Sequence, residues 1–351
     1  MNGLPKPREA VLRMAPYVPP TGGRFGKLRL DFNENTTGCS PRVIEFLKAQ
    51  LGCEQLSVYP DYDTTRPKLA RHFGVSNDQI LLTNGTDEAI QVFINTYVDD
   101  GDPVLLLRPS YAMYRFYAEL AGAVIEEVDY VPPKLEFPRD VLLDAITSTT
   151  RAVIVSNPNN PTGVGASLDV VEEILQRASG IPVLIDEAYY EFSGVTALPL
   201  VARYPNLFVS RTFSKVYGMA AMRIGALFSQ AENISILHKA QSPYSVNMLA
   251  AMAAAVAVDD NEYIRSTVCE VLAARETLYA ALDRLGIEYV PSSANFVLMY
   301  AGDRAREVRD ALRDKAILIR DRSYEIPGAV RITVGTREQT GRAIQELERI
   351  W

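Results

Sequence analysis

The sequence predicts an α/β protein: a mostly parallel seven-stranded sheet between helices, followed by a smaller α+β domain. From Asn77 to about residue 240, short apolar runs alternate with segments of helical periodicity. Strands that alternate with helices form crossover units, and crossover units build parallel sheets. Beyond residue 240, long helical stretches precede a few short strands. With 351 residues, 48% of them apolar, the chain is long enough for two domains with buried cores.

Seven apolar runs are predicted as the strands of the first sheet: Ile80–Thr83, Pro103–Leu107, Val124–Val128, Arg151–Ser156, Val183–Ile185, Leu207–Ser210 and Ile224–Phe228. Helical periodicity marks three segments between them: Asp87–Tyr97, Tyr111–Ala121 and Leu168–Ala178. The second region has helices at Met248–Val258 and Glu262–Leu285, strands at Asn295–Met299 and Val330–Val334, and a closing helix from Arg337. Residues 1–29 are rich in Pro and Gly, so we expect an arm on the surface. We therefore predict a large domain of residues 30–240 and a small domain of residues 241–351 together with the arm 1–29.

Composition and charge exclude several classes of protein. The 36 basic and 43 acidic residues leave a net charge of −7 with no long run of either sign, which predicts no binding to nucleic acid or to a membrane surface. Three scattered cysteines and two distant histidines predict neither a disulfide framework nor a metal site. The longest apolar run, Met248–Val258, is shorter than a membrane span. We expect a cytoplasmic protein.

Ligands of parallel sheets bind beyond the carboxyl ends of the strands, so the loops at that edge are candidate sites. Asn84-Gly85-Thr86-Asp87 follows one strand and opens a helix, whose free N–H groups suit a phosphate. A simple helix cap at Asn84 or Thr86 is the alternative. The loop 157–163, NPNNPTG, can hold an amide side chain toward the same edge, although it is also compatible with an ordinary turn.

Two further strand ends carry charged groups. Asp186 directly follows an apolar strand, where a carboxylate needs a cation or hydrogen bonds. Lys215 lies among hydroxyl residues after another strand, and Arg223 follows at the start of the next one. A lysine is usually a solvated surface charge, and only its position at the strand end makes Lys215 a candidate nucleophile.

Together these loops offer a phosphate site, an acid for a pyridinium nitrogen, an amide donor and a nucleophilic lysine. This set matches the requirements of pyridoxal phosphate (PLP). A nucleotide-binding fold has no support, because no G-x-G-x-x-G or Walker loop follows a strand.

The motifs TNGTDEAI, NPNNPTG, DEAYYEF, RTFSK, AAMRIG and RITVGT resemble, in order and spacing, those of the class I/II aminotransferases of PLP fold type I. Within that family the similarity is greatest to the histidinol-phosphate aminotransferases. The resemblance extends from about Tyr17 to Arg337, almost the whole chain.

The resemblance implies roles around the cofactor ring. Lys215 would carry PLP covalently and move a proton between substrate and cofactor. Asp186 would pair with the ring nitrogen, Asn160 and Tyr189 would hydrogen-bond the phenolic oxygen, and Tyr111 would stack on the ring. The implied catalytic residues are thus Lys215, Asp186 and Tyr189.

It also implies sites for two anions and a homodimer. The residues expected around the cofactor phosphate are Gly85, Thr86, Asp87, Thr212, Ser214, Arg223 and, from the partner subunit, Tyr59. The residues expected around the substrate are Tyr17, Asn33, Asn160, Tyr244, Arg320 and Arg331. Tyr59 in YPDY is compatible with a plain surface turn, and Arg320 with a salt bridge to Asp321 or Glu325. Whether Arg331 or Arg320 holds the distal anion of the substrate stays open.

We therefore predict a PLP-dependent aminotransferase that works by two half-reactions through Lys215. The expected reaction is histidinol-phosphate:2-oxoglutarate transamination in histidine biosynthesis, with small-molecule substrates that are phosphorylated or dicarboxylic. Four alternatives remain: an aromatic amino-acid aminotransferase, a specialised aminotransferase, a phospho-amino-acid decarboxylase of the same fold, and a PLP-sensing regulator. The regulator would need an attached helix-turn-helix module, for which the residues before Asp31 are too few.

Overall fold

A computed structural model describes residues 5–16 and 22–351 of the protein. Its strands are β1 Leu28–Leu30, β2 Ile80–Thr83, β3 Pro103–Arg108, β4 Val124–Asp129, β5 Ala152–Ser156, β6 Val183–Asp186, β7 Leu207–Thr212, β8 Gly225–Phe228, β9 Tyr289–Val290, β10 Phe296–Tyr300, β11 Ile317–Asp321 and β12 Ala329–Thr333. Its helices are α1 Glu9–Arg13, α2 Pro41–Gln50, α3 Cys53–Ser57, α4 Thr65–Phe73, α5 Gly85–Tyr97, α6 Ala112–Ala121, α7 Arg139–Ala145, α8 Leu168–Arg177, α9 Tyr190–Ser193, α10 Ala231–Leu237, α11 Met248–Ala257, α12 Asn261–Leu285, α13 Ala305–Asp314 and α14 Arg337–Ile350.

The large sheet has seven strands in the order β2-β8-β7-β6-β5-β3-β4. Strand β8 runs antiparallel to both of its neighbours, and the other pairs are parallel. The predicted mostly parallel seven-stranded sheet is confirmed. Its register aligns Ser156, Asp186 and Ser210 across β5, β6 and β7, so three polar side chains meet at the carboxyl edge.

Both faces of the large sheet are buried. Val153 and Val155 of β5 belong to one apolar cluster, whereas Ala152 and Ile154 belong to a second cluster on the opposite face. A strand covered on both faces is a continuous apolar run, which is why the sequence located these strands. A polar residue at the end of such a strand therefore has a fixed position at the edge of the core, where the candidate site lies.

The second sheet has five strands in the order β1-β11-β12-β10-β9. The expectation that residues 1–29 form only a surface arm needs correction, because Glu9–Arg13 is helical and Leu28–Leu30 pairs in parallel with β11. Three residues are too few to show an alternating pattern, and the partner strand Ile317–Asp321 comes almost 290 residues later. The helices α2, α3 and α4, between residues 41 and 73, were not predicted either.

Two features are absent from the described residues. No helix there is both long and apolar enough to cross a bilayer. The same residues contain no group of three or more His, Cys, Asp or Glu side chains placed to hold a metal ion.

Candidate active site

Asp186 ends β6 at the centre of the large sheet and is only 3% exposed. Its two carboxylate oxygens accept hydrogen bonds from the hydroxyls of Tyr114, at 2.7 Å, and Ser210, at 2.9 Å. Burial raises the pKa of Asp186 to about 6, against the opposing effect of these hydrogen bonds. Among the described residues, no cationic side chain forms an ion pair with it. A buried carboxylate of this kind is suited to a cationic ligand atom.

Gly85 begins α5, a helix of 13 residues, with a φ of +71°. A Cβ atom at this position would lie 2.4 Å from Nη2 of Arg223, so the guanidinium would have to shift, and the positive φ itself favours glycine. The guanidinium also donates to Oδ2 of Asp87 at 3.1 Å. The α5 N-terminus and Arg223 therefore present N–H donors side by side, as an anion requires.

Thr212 lies close to this N-terminus, and Ser214 follows it by two residues. Thr212 faces Gly225 across β7 and β8, and a Cβ at Gly225 would lie 3.1 Å from the backbone nitrogen of Thr86. The backbone N–H of Ser214 donates to Oγ1 of Thr212 at 3.1 Å. We call Gly85, Thr86, Thr212, Ser214 and Arg223 the anion cradle.

Lys215 follows β7 in a loop that is anchored on both sides by the fully buried Phe213 and Val216. Its Nζ atom donates to the backbone carbonyl of Phe32 at 3.1 Å and lies 5.6 Å from the ring centre of Tyr189. The lysine amine is therefore held at the carboxyl edge of the sheet, next to a tyrosine.

The Tyr189 hydroxyl accepts a hydrogen bond from Nδ2 of Asn33 at 2.9 Å. Asn33 is buried with a φ of +57°, an unusual conformation for a residue other than glycine. Thr333 of β12 holds it there, accepting from its backbone N–H at 3.0 Å and donating to its Oδ1 at 3.1 Å. Strain of this kind is maintained only where the surroundings fix it, and here both sheets contribute.

Arg331 of β12 is 5% exposed and donates to Oδ1 of Asn160 and, at 2.7 Å, to the carbonyl of Asp31. Its Nε has no hydrogen-bond partner among the described residues. Burial lowers the pKa of Arg331 to about 10. Arg320 faces Arg331 in the register of β11 and β12, and residues directly opposite in an antiparallel pair share a face.

Arg320 makes no ion pair within residues 5–16 and 22–351. The alternative of a salt bridge to Asp321 or Glu325 is wrong, because Asp321 pairs with Arg309 at 3.4 Å and Glu325 pairs with Arg322. Two neighbouring guanidinium groups, at Arg320 and Arg331, thus lack a carboxylate partner, and this arrangement favours a ligand with two negative charges.

Of the predicted tyrosines other than Tyr189, one lies beside the anion cradle and two lie on the surface. Tyr111 precedes α6, and its hydroxyl donates to Oδ1 of Asp87 at 2.9 Å, which places it beside the anion cradle. Tyr59 and Tyr244 are 74% and 55% exposed, and their rings pack on each other at 4.6 Å. In the described part of a single chain, neither ring is hydrogen-bonded to the residues around Lys215. Tyr17 lies outside the described residues.

Sequence reasoning missed three residues of the site. Tyr114 and Ser210 hold Asp186, and Phe32 accepts from Lys215. Tyr114 follows Tyr111 by three residues, and their rings lie edge to face at 5.6 Å. That spacing was the one available signal, since nothing local relates Phe32 or Ser210 to the site.

The family model for aminotransferase class I and II matches residues 26–347. The chain belongs to this family. As an aminotransferase, the enzyme transfers amino groups.

Two relatives match most of the chain. A histidinol-phosphate aminotransferase of Symbiobacterium thermophilum is 38% identical over 355 residues, covering 97% of each chain. The histidinol-phosphate aminotransferase of Geobacillus thermodenitrificans is 36% identical over 330 residues, covering 91% of this enzyme and 89% of the relative.

Among solved structures, the histidinol-phosphate aminotransferase of Sinorhizobium meliloti in complex with pyridoxal-5′-phosphate superposes with a TM-score of 0.89. The match covers 99% of this enzyme and 98% of that chain at 23% identity. At this identity the likeness shows the fold, and it confirms the predicted fold class.

The charge on Asp186 is expected to destabilise the enzyme when it is stripped of bound ligands. Its pKa rises from 3.8 to about 6 on folding, so the folded state holds the proton more tightly than the unfolded state. The destabilisation of the folded state by the ionised carboxylate is therefore absent below about pH 4, develops as the pH rises, and is complete above about pH 6. Asp186→Asn should raise the free energy of unfolding at pH 7.5 by up to about 3 kcal/mol.

Urea unfolding of the stripped enzyme at pH 7.5 and pH 4.5 measures this difference. At pH 4.5 the difference in the free energy of unfolding should fall to about 1 kcal/mol. Asp99→Asn, a change at an exposed carboxylate, is the matched control and should alter stability little at either pH. An Asp186→Asn enzyme that is no more stable than wild type at pH 7.5 would contradict this account.

Proposed function

We propose that this aminotransferase uses PLP to transfer an amino group between L-histidinol phosphate and 2-oxoglutarate, with imidazole-acetol phosphate and L-glutamate as products. The observation that supports this substrate is the pair Arg320 and Arg331, which face each other without a carboxylate partner in the described residues. A phosphate monoester supplies the two negative charges this pair lacks. The names of the two relatives agree with this substrate, and the reaction would belong to histidine biosynthesis.

The side chains present match the groups of PLP. Asp186, buried without a cation, would hold the ring nitrogen in its protonated form. The anion cradle would hold the cofactor phosphate together with the backbone of Asp87, Asn160 and Tyr189 would hydrogen-bond the phenolic oxygen, and Tyr111 would cover the ring. When bound, PLP supplies an electron-accepting ring.

The remaining chemistry depends on this chain's own residues. Lys215, held at 3.1 Å by the carbonyl of Phe32, would bind the cofactor covalently and then move a proton between the substrate carbon and the cofactor. Tyr189, oriented by Asn33, would fix the plane in which this transfer occurs. Arg331 would orient the substrate through its anion, so that the reacting carbon lies within reach of the amine.

We also propose that the active enzyme is a homodimer. Leu51, Leu56 and Val58 are exposed apolar residues that precede the exposed Tyr59, and patches of this kind mark interfaces. Since Tyr59 packs on Tyr244, the two rings would enter the partner's site together, Tyr59 at the cofactor phosphate and Tyr244 at the substrate. Tyr17 would line the same substrate pocket.

We further propose that the enzyme has two domains and is cytoplasmic. The large domain would comprise residues 30–240, and the small domain residues 241–351 together with 1–29. Pairing of β1 with β11 supports the assignment of the N-terminal segment, whereas α11 packs against α2 and α4 of the large domain. We place the enzyme in the cytoplasm, with small-molecule substrates.

A single-turnover absorbance assay of the PLP-loaded enzyme tests the function. L-Histidinol phosphate, L-glutamate, L-phenylalanine and O-phospho-L-threonine are offered separately, and the absorbance of the bound cofactor is followed. Rapid change with L-histidinol phosphate and L-glutamate alone is the expected result. A response to L-phenylalanine in place of L-histidinol phosphate would indicate aromatic amino-acid transamination, and release of CO₂ from O-phospho-L-threonine would indicate a decarboxylase.

Arg320→Ala is expected to discriminate between the two substrates. Loss of charged hydrogen bonds to a phosphate should raise KM for L-histidinol phosphate by about 10- to 100-fold. The KM for L-glutamate, whose carboxylate can still reach Arg331, should change by less than about 3-fold. Steady-state kinetics with both substrates measure this difference, and Arg306→Ala, at an exposed arginine, is the control. Equal losses for both substrates would remove Arg320 from the phosphate site.

A further inference from the structure

Phe32 lies between β1 and α2 and is half-buried, yet its ring belongs to neither apolar cluster of the described residues. Instead the ring is in contact with cations. The Cζ atom of Arg24 lies 4.3 Å from its centre, and the Cζ atom of Arg320 lies 5.4 Å from it. Both distances are within the range of a cation–π interaction. This aromatic ring therefore serves to hold guanidinium groups.

The two arginines on this ring differ in their charge balance. Arg24 is bound by Asp31, at 2.8 Å and 3.1 Å, and by Glu34, at 2.8 Å and 3.0 Å. Its charge is thus compensated, and it can fix the ring without attracting an anion. Arg320 has no carboxylate partner in the described residues, so the ring of Phe32 is its one contact with a group that attracts a cation.

A cation–π contact positions an arginine differently from an ion pair. A carboxylate would occupy the N–H donors of Arg320 and neutralise its charge, whereas an aromatic face attracts the cation and leaves the donors at the edge of the guanidinium plane available. The backbone carbonyl of Phe32 also accepts a hydrogen bond from Nζ of Lys215 at 3.1 Å. Phe32 thus connects the amine that performs the chemistry with the cation that would hold the distal anion.

We propose that Phe32 is a positioning residue that determines specificity: its ring orients the uncompensated Arg320 toward the phosphate group of the substrate. This inference rests on the proposed function for the identity of the substrate. It does not depend on that function for the contact itself, because any phosphate that binds Arg320 should respond to the ring.

The test compares Phe32→Leu, which keeps an apolar side chain but removes the ring, with Phe32→Tyr, which keeps the ring. Phe25→Leu is the matched control, because Phe25 is 99% exposed and the same change there removes no contact with an arginine. Two readouts are measured on the PLP-loaded enzyme. The first is KM and kcat for L-histidinol phosphate and L-glutamate, and the second is the Kd of inorganic phosphate by calorimetry.

Phe32→Leu should raise KM for L-histidinol phosphate and the Kd of inorganic phosphate by about 3- to 10-fold. The effect on kcat and on KM for L-glutamate should be smaller, and the absorbance spectrum of the bound cofactor should stay that of wild type. Phe32→Tyr should restore both phosphate readouts to within about 2-fold of wild type. A general loss of structure would instead change both substrates alike and would not be rescued by the ring.

Three results would overturn the proposal: Phe32→Leu binding phosphate as tightly as wild type, Phe32→Tyr losing as much as Phe32→Leu, or no phosphate binding by the loaded wild-type enzyme. If the wild-type enzyme binds inorganic phosphate but does not turn over L-histidinol phosphate, the proposed substrate fails. The calorimetric comparison still decides the role of Phe32 in that case.

Discussion

Lys215→Ala is expected to reduce transamination by at least about 10³-fold while the fold is retained. The expected loss is large because, in the proposed function, the same amine would bind the cofactor and carry the proton, and a positioned acid or base alone contributes about 10²- to 10⁴-fold. The fold should persist because, within the described residues, the side chain makes one hydrogen bond, to the carbonyl of Phe32, and the loop is anchored by Phe213 and Val216. Single-turnover absorbance with L-glutamate measures the rate, and circular dichroism checks the fold.

Two further variants separate charge from chemistry. Lys215→Arg keeps the positive charge but cannot give up a proton near neutral pH, so it should be as inactive as Lys215→Ala. Lys239→Ala, at an exposed lysine, should keep the wild-type rate. Wild-type turnover by Lys215→Ala would show that the mechanism assigned to this lysine is wrong, and activity in Lys215→Arg would reduce its role to electrostatics.

Arg331→Met is expected to lower kcat/KM by about 10²- to 10³-fold for both L-glutamate and L-histidinol phosphate, because the substrate anion would lose the bidentate hydrogen bonds of the guanidinium. Stability should change little. The change relieves the burial that lowers the pKa of Arg331 to about 10, a gain of about 3 kcal/mol. It also leaves the oxygens of Asn160 and Asp31 without their donor, a loss of about 1–3 kcal/mol each.

The measurements are steady-state kinetics with both substrates and urea unfolding at pH 7.5. Arg306→Met, the same change at an exposed arginine, is the control for both. A variant that loses activity for one substrate alone would show that Arg331 and Arg320 divide the two anions between them. A variant with wild-type kinetics would exclude Arg331 from substrate binding.

The strands of the large sheet were predicted to within one or two residues, and all of them except the edge strand β4 are buried along most of their length. Val183–Asp186 and Leu207–Thr212 are buried along their whole length, and each begins with an apolar run that is visible in the sequence. The chemistry at their ends was equally local. Asp186 and Lys215 stand out because they follow such strands directly, and the family motifs contain both.

Contacts between distant segments were not predictable in this way. The hydroxyl of Tyr114 reaches Asp186 across 72 residues, and Lys215 reaches the Phe32 carbonyl across 183 residues. No periodicity relates such positions, since the sheet register and the loops bring them together. Strand β1 was missed for the same reason, because its partner β11 is far away in the chain and its own pattern is too short.

The sequence by itself therefore determined the fold class and the chemical family, and it located the strand-end loops that carry the candidate cofactor-binding residues, since each depends on the pattern of one strand and the loop after it. Tertiary structure alone decided which charges are compensated. Asp321 and Glu325 lie near Arg320 in the chain but pair with Arg309 and Arg322, whereas Phe32, 288 positions away, contacts Arg320. A charge is available to a ligand only when its neighbours in space do not neutralise it, and those neighbours are set by packing.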